Sequence, residues 1–79
     1  MSFAEEFRNM RLENLLSQET IAHKIGTTFG TVNRWEAGKT LPAFSVMSVI
    51  MDFCDEVGYD REAMFGEWRK DKEARAGRK

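Results

Sequence analysis

Histidine and cysteine, two residue types that carry chemistry in enzymes and metal sites, each occur once in the 79-residue chain. His23 has no second histidine and no cysteine near it in sequence, and a metal site needs three or four ligands, so we interpret it as solvent-exposed. Cys54 lies in an apolar segment without an evident activating base, which is typical of a thiol packed as a small hydrophobic group. No nucleophile motif and no glycine-rich phosphate loop occurs. These residues therefore predict no enzyme, no metal site and no cofactor.

The composition predicts one globular domain with a modest core, since 42% of the residues are hydrophobic and 32% are charged. The lone cysteine, the acidic start MSFAEEF and the lack of a long apolar run argue against secretion and against a membrane span. We therefore expect a cytoplasmic protein. The net charge is −1, but residues 8–41 contain five basic and three acidic residues. This distribution permits a positive face on a nearly neutral protein.

Helix start and stop signals recur along the chain with almost no strand signal, which predicts an all-α fold of five short helices. The predicted N-caps are Ser2 (with Glu5 as capping-box partner), Ser17, Thr28 and Asp60, and the predicted stops are Gly26, Gly38 and Gly58. Pro42 is expected in the first turn of the fourth helix. We predict a domain over residues 1–73 and a frayed, charged tail over 74–79.

The apolar residues of the first helix, Phe3, Phe7 and Met10, are followed at roughly helical spacing by Leu15, which predicts an inward face. The second and third helices are separated by only about three residues that begin with a glycine, which is the arrangement of a helix-turn-helix. Ala22 is small where the two helices must cross, and Gly26 supplies the positive φ of the turn. The residues expected to fill the angle between the helices are Ile21, Ile25, Val32 and Trp35.

The segment LSQETIAHKIGTTFGTVNRWEAGKTLP, residues 16–42, resembles the Xre/Cro-type helix-turn-helix of phage repressors and their bacterial relatives. The motif S-Q-x-x-x-A opens the second helix, W-E-x-G-K closes the third, and the resemblance extends from about Met10 to Val57. It implies a compact, lambda-repressor-like domain of five helices with the helix-turn-helix at 17–37. It also implies an ion pair between Arg11 and Glu36, for which the alternative is two independent surface charges.

In such a domain the N-terminal part of the third helix enters the DNA major groove. Its candidate base-reading residues have different chemistry: Phe29 for a thymine methyl, Gly30 for close backbone approach, Asn33 for an adenine edge or a phosphate, and Arg34 for guanine O6 and N7. Phe29 could instead pack back onto the second or fourth helix, and Arg34 could instead contact phosphate or remain solvated.

Residues near the two helix N-termini and in the segment after the third helix are candidates for phosphate contacts. They are Gln18, Thr27, Thr28, Thr31, Lys39 and Thr40, of which the resemblance supports Gln18 and Lys39 best. Any one of the threonines could serve only as a helix cap.

The fourth helix is apolar almost all round and must be buried on more than one side. The fifth helix could complete the core of a monomer, or the two helices could form a two-fold interface. The candidate surface for a dimer or another partner consists of Val49, Ile50, Phe53, Met64, Phe65 and Trp68.

These features predict a sequence-specific, double-stranded DNA-binding regulator of transcription, acting mostly as a repressor, from a prokaryote, phage or plasmid. Relatives commonly bind paired half-sites, so we expect a homodimer at least on DNA, where the protein would be associated with the nucleoid. The alternatives are an antitoxin that also binds a small toxin protein, and a protein-interaction adaptor that does not bind DNA. No room is expected for a separate ligand-sensing domain.

Overall fold

Five α-helices make up the computed structural model, which describes residues 2–76. They are α1 (Phe3–Glu13), α2 (Gln18–Ile25), α3 (Phe29–Glu36), α4 (Phe44–Val57) and α5 (Arg61–Ala76). Between residues 2 and 76 there is no β-strand, and none of the helices there is long and apolar enough to cross a membrane. The predicted all-α fold of five helices is confirmed, with α2 and α3 as the helix-turn-helix pair.

Side-chain caps begin the helices where the sequence predicts them. Ser2 Oγ accepts a hydrogen bond from the N–H of Glu5 at 3.2 Å, and Glu5 Oε1 accepts one from the N–H of Ser2 at 3.0 Å, which completes a capping box. Ser17, Thr28 and Asp60 each accept a bond from the N–H three residues later. These caps satisfy N–H groups that have no partner inside the helix.

The start of α4 differs from the prediction. Ala43 is the N-cap and provides no side-chain hydrogen bond, and Pro42 lies outside the helix instead of in its first turn. Pro42 is buried, and its carbonyl accepts a 2.9 Å hydrogen bond from Trp68 Nε1. This hydrogen bond joins the segment before α4 to α5, 26 residues further along the chain.

Four helices end in the same hydrogen-bonded turn, in which one residue adopts a positive φ. Gly26, Gly38 and Gly58 occupy that position with φ of 78°, 77° and 76°, whereas α1 uses Leu15 with φ of 57°. The N–H of Leu16 donates to the carbonyl of Arg11 at 3.0 Å, as in a Schellman motif. The predicted inward position of Leu15 is wrong: α1 has already ended, and the side chain is 93% exposed.

Replacing Leu15 by glycine is expected to raise the free energy of unfolding by about 0.5–1 kcal/mol. The left-handed conformation costs an L-residue roughly 1–2 kcal/mol, which exceeds the entropic cost of glycine, and the exposed side chain contributes almost no burial. Urea unfolding would measure the change. The control is Leu12→Gly inside α1, which should destabilise by about 1 kcal/mol; a loss of stability in both variants would contradict the prediction.

Aromatic side chains join α1 to α3 in the core. The ring of Trp35 meets those of Phe7 and Phe3 edge-on, with centroid distances of 5.5 and 6.4 Å. Such edge-to-face pairs contribute about 0.5–1.5 kcal/mol beyond burial. The predicted inward residues of α2 and α3 are all buried: Ile21, Ala22, Ile25, Val32 and Trp35. The relative position of α2 and α3 is therefore fixed by packing.

Helix α5 extends beyond the predicted domain boundary at residue 73. It remains helical to Ala76, and the Arg75 guanidinium donates hydrogen bonds to the carbonyls of Gly38 at 2.9 Å and Lys39 at 3.3 Å. Residues 74–76 of the predicted tail therefore belong to α5 in the structure, where Arg75 contacts the segment after α3. Residues 77–79 of the predicted tail lie outside the described residues.

Stability is expected to fall as the pH rises from about 9 to 11. Burial raises the pKa of the Cys54 thiol from 9.0 to about 11, and burial together with the 2.6 Å hydrogen bond to Glu6 raises the pKa of Tyr59. Because the folded state holds these protons more tightly, their contribution is complete below pH 9 and is lost above it. Urea unfolding should show a loss on the order of 1–2 kcal/mol for Cys54.

The matched control for this pH dependence is Cys54→Ala, in which the thiol proton is absent and the rest of the chain is unchanged. This variant should lose less stability than the parent chain over the same pH range. Equal losses in the two proteins would show that Cys54 does not contribute.

Candidate nucleic-acid interface

The turn between α2 and α3 presents the N-terminus of α3. Gly26 ends α2 in the left-handed conformation, and the N–H of Thr27 donates to the carbonyl of Ala22 at 2.8 Å. Thr28 then caps α3, with its Oγ1 accepting from the N–H of Thr31 at 3.2 Å. The predicted capping role of Thr28 is confirmed, and the first turn of α3 is held rigidly on the helix-turn-helix.

An ion pair ties α1 to the end of α3, as the resemblance implies. Arg11 Nε donates to Glu36 Oε2 at 2.7 Å and Arg11 Nη2 donates to Glu36 Oε1 at 2.8 Å, so the pair is bidentate. The Arg11 and Glu36 side chains are only 12% and 5% exposed, and this hydrogen bonding raises the pKa of Arg11. The alternative of two independent surface charges is therefore wrong.

The polar network continues from this ion pair to the surface of α3. Gln18 Nε2 donates to Glu36 Oε1 at 3.0 Å, and Asn33 Nδ2 donates to Gln18 Oε1 at 3.2 Å. Two of the predicted DNA-contact residues, Gln18 at the start of α2 and Asn33 in α3, are thus connected to each other and to the ion pair. The network restricts both amides before any ligand binds.

The outer face of α3 holds the four candidate base-reading residues in adjacent positions. Phe29 and Asn33 are four residues apart, as are Gly30 and Arg34, so each pair shares one face of the helix. Phe29 is 54% exposed and does not join the hydrophobic core, so much of its ring remains available for a contact outside the domain. Arg34 is exposed, and its Nη2 donates a 3.3 Å hydrogen bond to Thr31 Oγ1.

The candidate phosphate-contact residues form groups at the two ends of α3. Thr27, Thr28 and Thr31 lie at its N-terminus, and Gln18 is connected to it through Asn33. Lys39 and Thr40, both exposed, follow its C-terminus. An eight-residue helix is about 12 Å long, so the two groups flank the base-reading face closely.

Arg8 is a further candidate residue, which the sequence interpretation did not include. It lines a cleft of about 280 Å³ together with Gln18 and Asn33, and its side chain is exposed. Its spacing of three residues before Arg11 on α1 is the signal that could have placed it on the same helix face.

The predicted surface for a dimer or partner is mostly interior. Ile50, Phe53, Met64 and Trp68 are at most 7% exposed, because α4 and α5 pack against each other and against the rest of the domain. Their assignment to a surface is therefore wrong. Of the six predicted residues, Val49 is exposed and Phe65 is partly exposed.

An apolar groove of about 300 Å³ instead runs between α4 and α5. Its lining consists of Phe44, Met47, Ser48, Met51, Arg61 and Phe65. Phe44 at its edge is 72% exposed. Within residues 2–76, no group of three or more histidine, cysteine, aspartate or glutamate side chains could hold a metal ion.

Comparison with known families identifies a helix-turn-helix family. The model of the HTH_3 helix-turn-helix family matches residues 7–60, which is more than half of the chain and includes most of α1 and all of α2, α3 and α4. No curated protein and no solved structure matches the chain significantly.

Proposed function

Because the chain belongs to the helix-turn-helix family of the Xre/lambda-Cro type, we propose that it regulates transcription by sequence-specific binding of double-stranded DNA. The observation that carries the proposal is the outer face of α3, where Phe29, Gly30, Asn33 and Arg34 are adjacent on a helix start that Thr28 and Gly26 hold in place. A helix presented in this way fits the major groove, where side chains reach base edges.

Each residue has a chemical role in the proposed complex. Arg34 reads a guanine, Asn33 an adenine edge, and Phe29 a thymine methyl, while Gly30 allows the backbone to approach. The backbone phosphates are contacted by Gln18, Thr27, Thr28, Thr31, Lys39 and Thr40. These sequence-independent contacts supply much of the affinity and make it depend on salt.

We further propose that the protein binds as a homodimer, in the cytoplasm and on the nucleoid. One domain of this size buries little surface on DNA, and two copies on paired half-sites would raise the affinity. Repression is the proposed outcome, since a protein bound at a promoter blocks access to it. The mass of the protein–DNA complex in sedimentation equilibrium would show one or two copies for each duplex.

The direct test is a titration of labelled DNA from upstream of the protein's own coding sequence, with a shuffled duplex as control, at two salt concentrations. Preference for the upstream DNA that weakens with salt supports specific binding with phosphate contacts. Equal weak binding would call for selection of a site from random DNA. No binding to either duplex at low salt contradicts the proposal.

Gly30→Ala is expected to raise stability while weakening specific DNA binding severalfold. A Cβ at position 30 would meet only Arg34 Nη1, at an ordinary 3.6 Å, and alanine favours a helix by up to about 1 kcal/mol. In the complex the same methyl group would obstruct backbone approach. Urea unfolding and DNA titration would measure the two effects.

Gly66→Ala in α5 is the matched control for this prediction, because a Cβ there meets nothing within 4 Å. It should stabilise the fold without changing DNA affinity. If Gly30→Ala also leaves the affinity unchanged, then Gly30 has no role in approach to DNA.

A second candidate function, an antitoxin that also binds DNA, is favoured by the apolar groove beside the exposed Phe44. An exposed apolar patch often marks a contact with another protein. Co-expression with the product of a neighbouring gene should then yield a complex that Phe44→Ser disrupts. Failure to form any such complex would argue against the antitoxin function.

A further inference from the structure

A cluster of basic residues lies where α5 crosses the segment after α3. Lys39, Thr40, Lys72 and Arg75 line a shallow cleft of about 440 Å³, together with Leu41 and Ala76. The hydrogen bonds from Arg75 to the carbonyls of Gly38 and Lys39 hold α5 against this segment. Residues more than 30 positions apart in the sequence therefore supply one positively charged surface.

The acidic neighbours of these basic residues bind elsewhere. Asp71 Oδ2 accepts a 2.9 Å hydrogen bond from the N–H of Phe3, at the start of α1. Glu73 Oε2 accepts a 3.5 Å bond from Arg69 on the same helix. In the described part of the chain no carboxylate lines this cleft, whereas Asp71 lines a neighbouring cleft together with Arg75.

Lys72 is positioned without an acidic partner. Its Nζ lies 5.6 Å from the centre of the Trp68 ring, which is anchored by its hydrogen bond to the carbonyl of Pro42. Within residues 2–76 Lys72 forms no ion pair, whereas Lys70, two residues earlier, lies 3.7 Å from Glu67. Among the described residues, Lys72 therefore presents an ammonium group without an ion-pair partner to the cleft that Lys39 also lines.

We propose that α5 adds a contact to the DNA backbone. In this contact Lys72 and Lys39 together bind a phosphate beside the DNA major groove that α3 enters. The inference rests on the proposed function and extends it to a helix outside the helix-turn-helix. Lys39 follows α3 directly, so the cleft continues the row of phosphate-contact candidates at the C-terminal end of that helix. A phosphate is the expected occupant because the lining offers two ammonium groups, a guanidinium and a hydroxyl group.

The test compares Lys72→Gln with Lys70→Gln, which makes the same change in net charge on another face of α5. Dissociation constants are measured against a site selected from random DNA and against a random-sequence duplex, over a series of salt concentrations. Lys72→Gln should weaken binding to both duplexes by a similar factor, roughly 3- to 10-fold at about 0.1 M salt, and should reduce the salt slope by about 0.9. Lys70→Gln should match the parent chain, and Lys72→Arg should retain binding.

Three results would overturn the inference. Identical behaviour of Lys72→Gln and Lys70→Gln would show that α5 makes no phosphate contact. A loss confined to the selected site would replace the phosphate contact by a base contact. Absence of binding by the parent chain to either duplex would overturn the proposed function itself. As a separate control, thermal unfolding of each variant would confirm that its fold is intact.

Discussion

Replacing Glu36 by alanine is expected to lower the free energy of unfolding by about 3–5 kcal/mol, the largest effect predicted for this chain. The substitution leaves the Arg11 guanidinium, whose side chain is 12% exposed, without its bidentate partner, and it removes the acceptor of the Gln18 amide. A domain of 79 residues has a total stability of only about 4–12 kcal/mol. Urea unfolding should therefore show a protein close to its limit of stability.

Two further variants separate the free-energy cost of an unpaired buried charge from the net contribution of the Arg11–Glu36 pair to stability. Arg11→Ala alone should also destabilise, because Glu36 is then buried without its cation. The double variant Arg11→Met, Glu36→Leu should recover much of the loss, since apolar side chains of similar volume often replace a buried ion pair without penalty. A Glu36→Ala loss below about 1 kcal/mol would indicate the weak coupling of a surface pair.

Replacing Arg34 by alanine is expected to weaken specific DNA binding by about 1–3 kcal/mol, or roughly 5- to 150-fold, and to relax the preference at one base pair. Arg34 lies on the outer face of α3, and only the 3.3 Å hydrogen bond to Thr31 must be given up when it contacts a base. Because the side chain is exposed, the substitution should change the free energy of unfolding by less than about 0.5 kcal/mol.

Titration of the selected site and of sites changed at each base pair would measure this effect. Arg69→Ala is the matched control, since it removes the same charge from an exposed position on α5, remote in sequence from α3. A loss of equal size on every sequence would make Arg34 a phosphate contact. An unchanged affinity would place Arg34 outside the interface.

Features that depend on neighbouring residues were predictable from the sequence. Ser2, Ser17, Thr28 and Asp60 begin helices because each oxygen needs only an N–H two or three residues away. Gly26 ends α2 because glycine adopts a positive φ without steric cost. The Arg11–Glu36 pair spans 25 residues, and it was predicted through the family resemblance and not through local spacing.

The errors have two sources: an uninformative residue type at a turn, and contacts with distant parts of the chain. Leu15 occupies a turn position that favours glycine, so the residue type at this position did not predict the end of α1. Pro42 lies outside α4, and its carbonyl accepts a hydrogen bond from Trp68 on α5, a contact that the sequence does not reveal. The apolar sides of α4 could equally have faced a partner, and only the packing of α5 showed that Ile50, Phe53 and their neighbours are interior.

The sequence by itself determined the five helices, the helix-turn-helix over 17–37 and the residues on the outer face of α3, because caps, glycine stops and the 3.6-residue period act within a few residues of one another. Only the tertiary structure decided which side of α4 is covered and where the charges of α5 lie. Asp71 accepts a hydrogen bond from Phe3, whereas Lys72 and Arg75 line the same cleft as Lys39. These residues are separated by more than 30 positions, so they meet only when α5 packs against the rest of the domain.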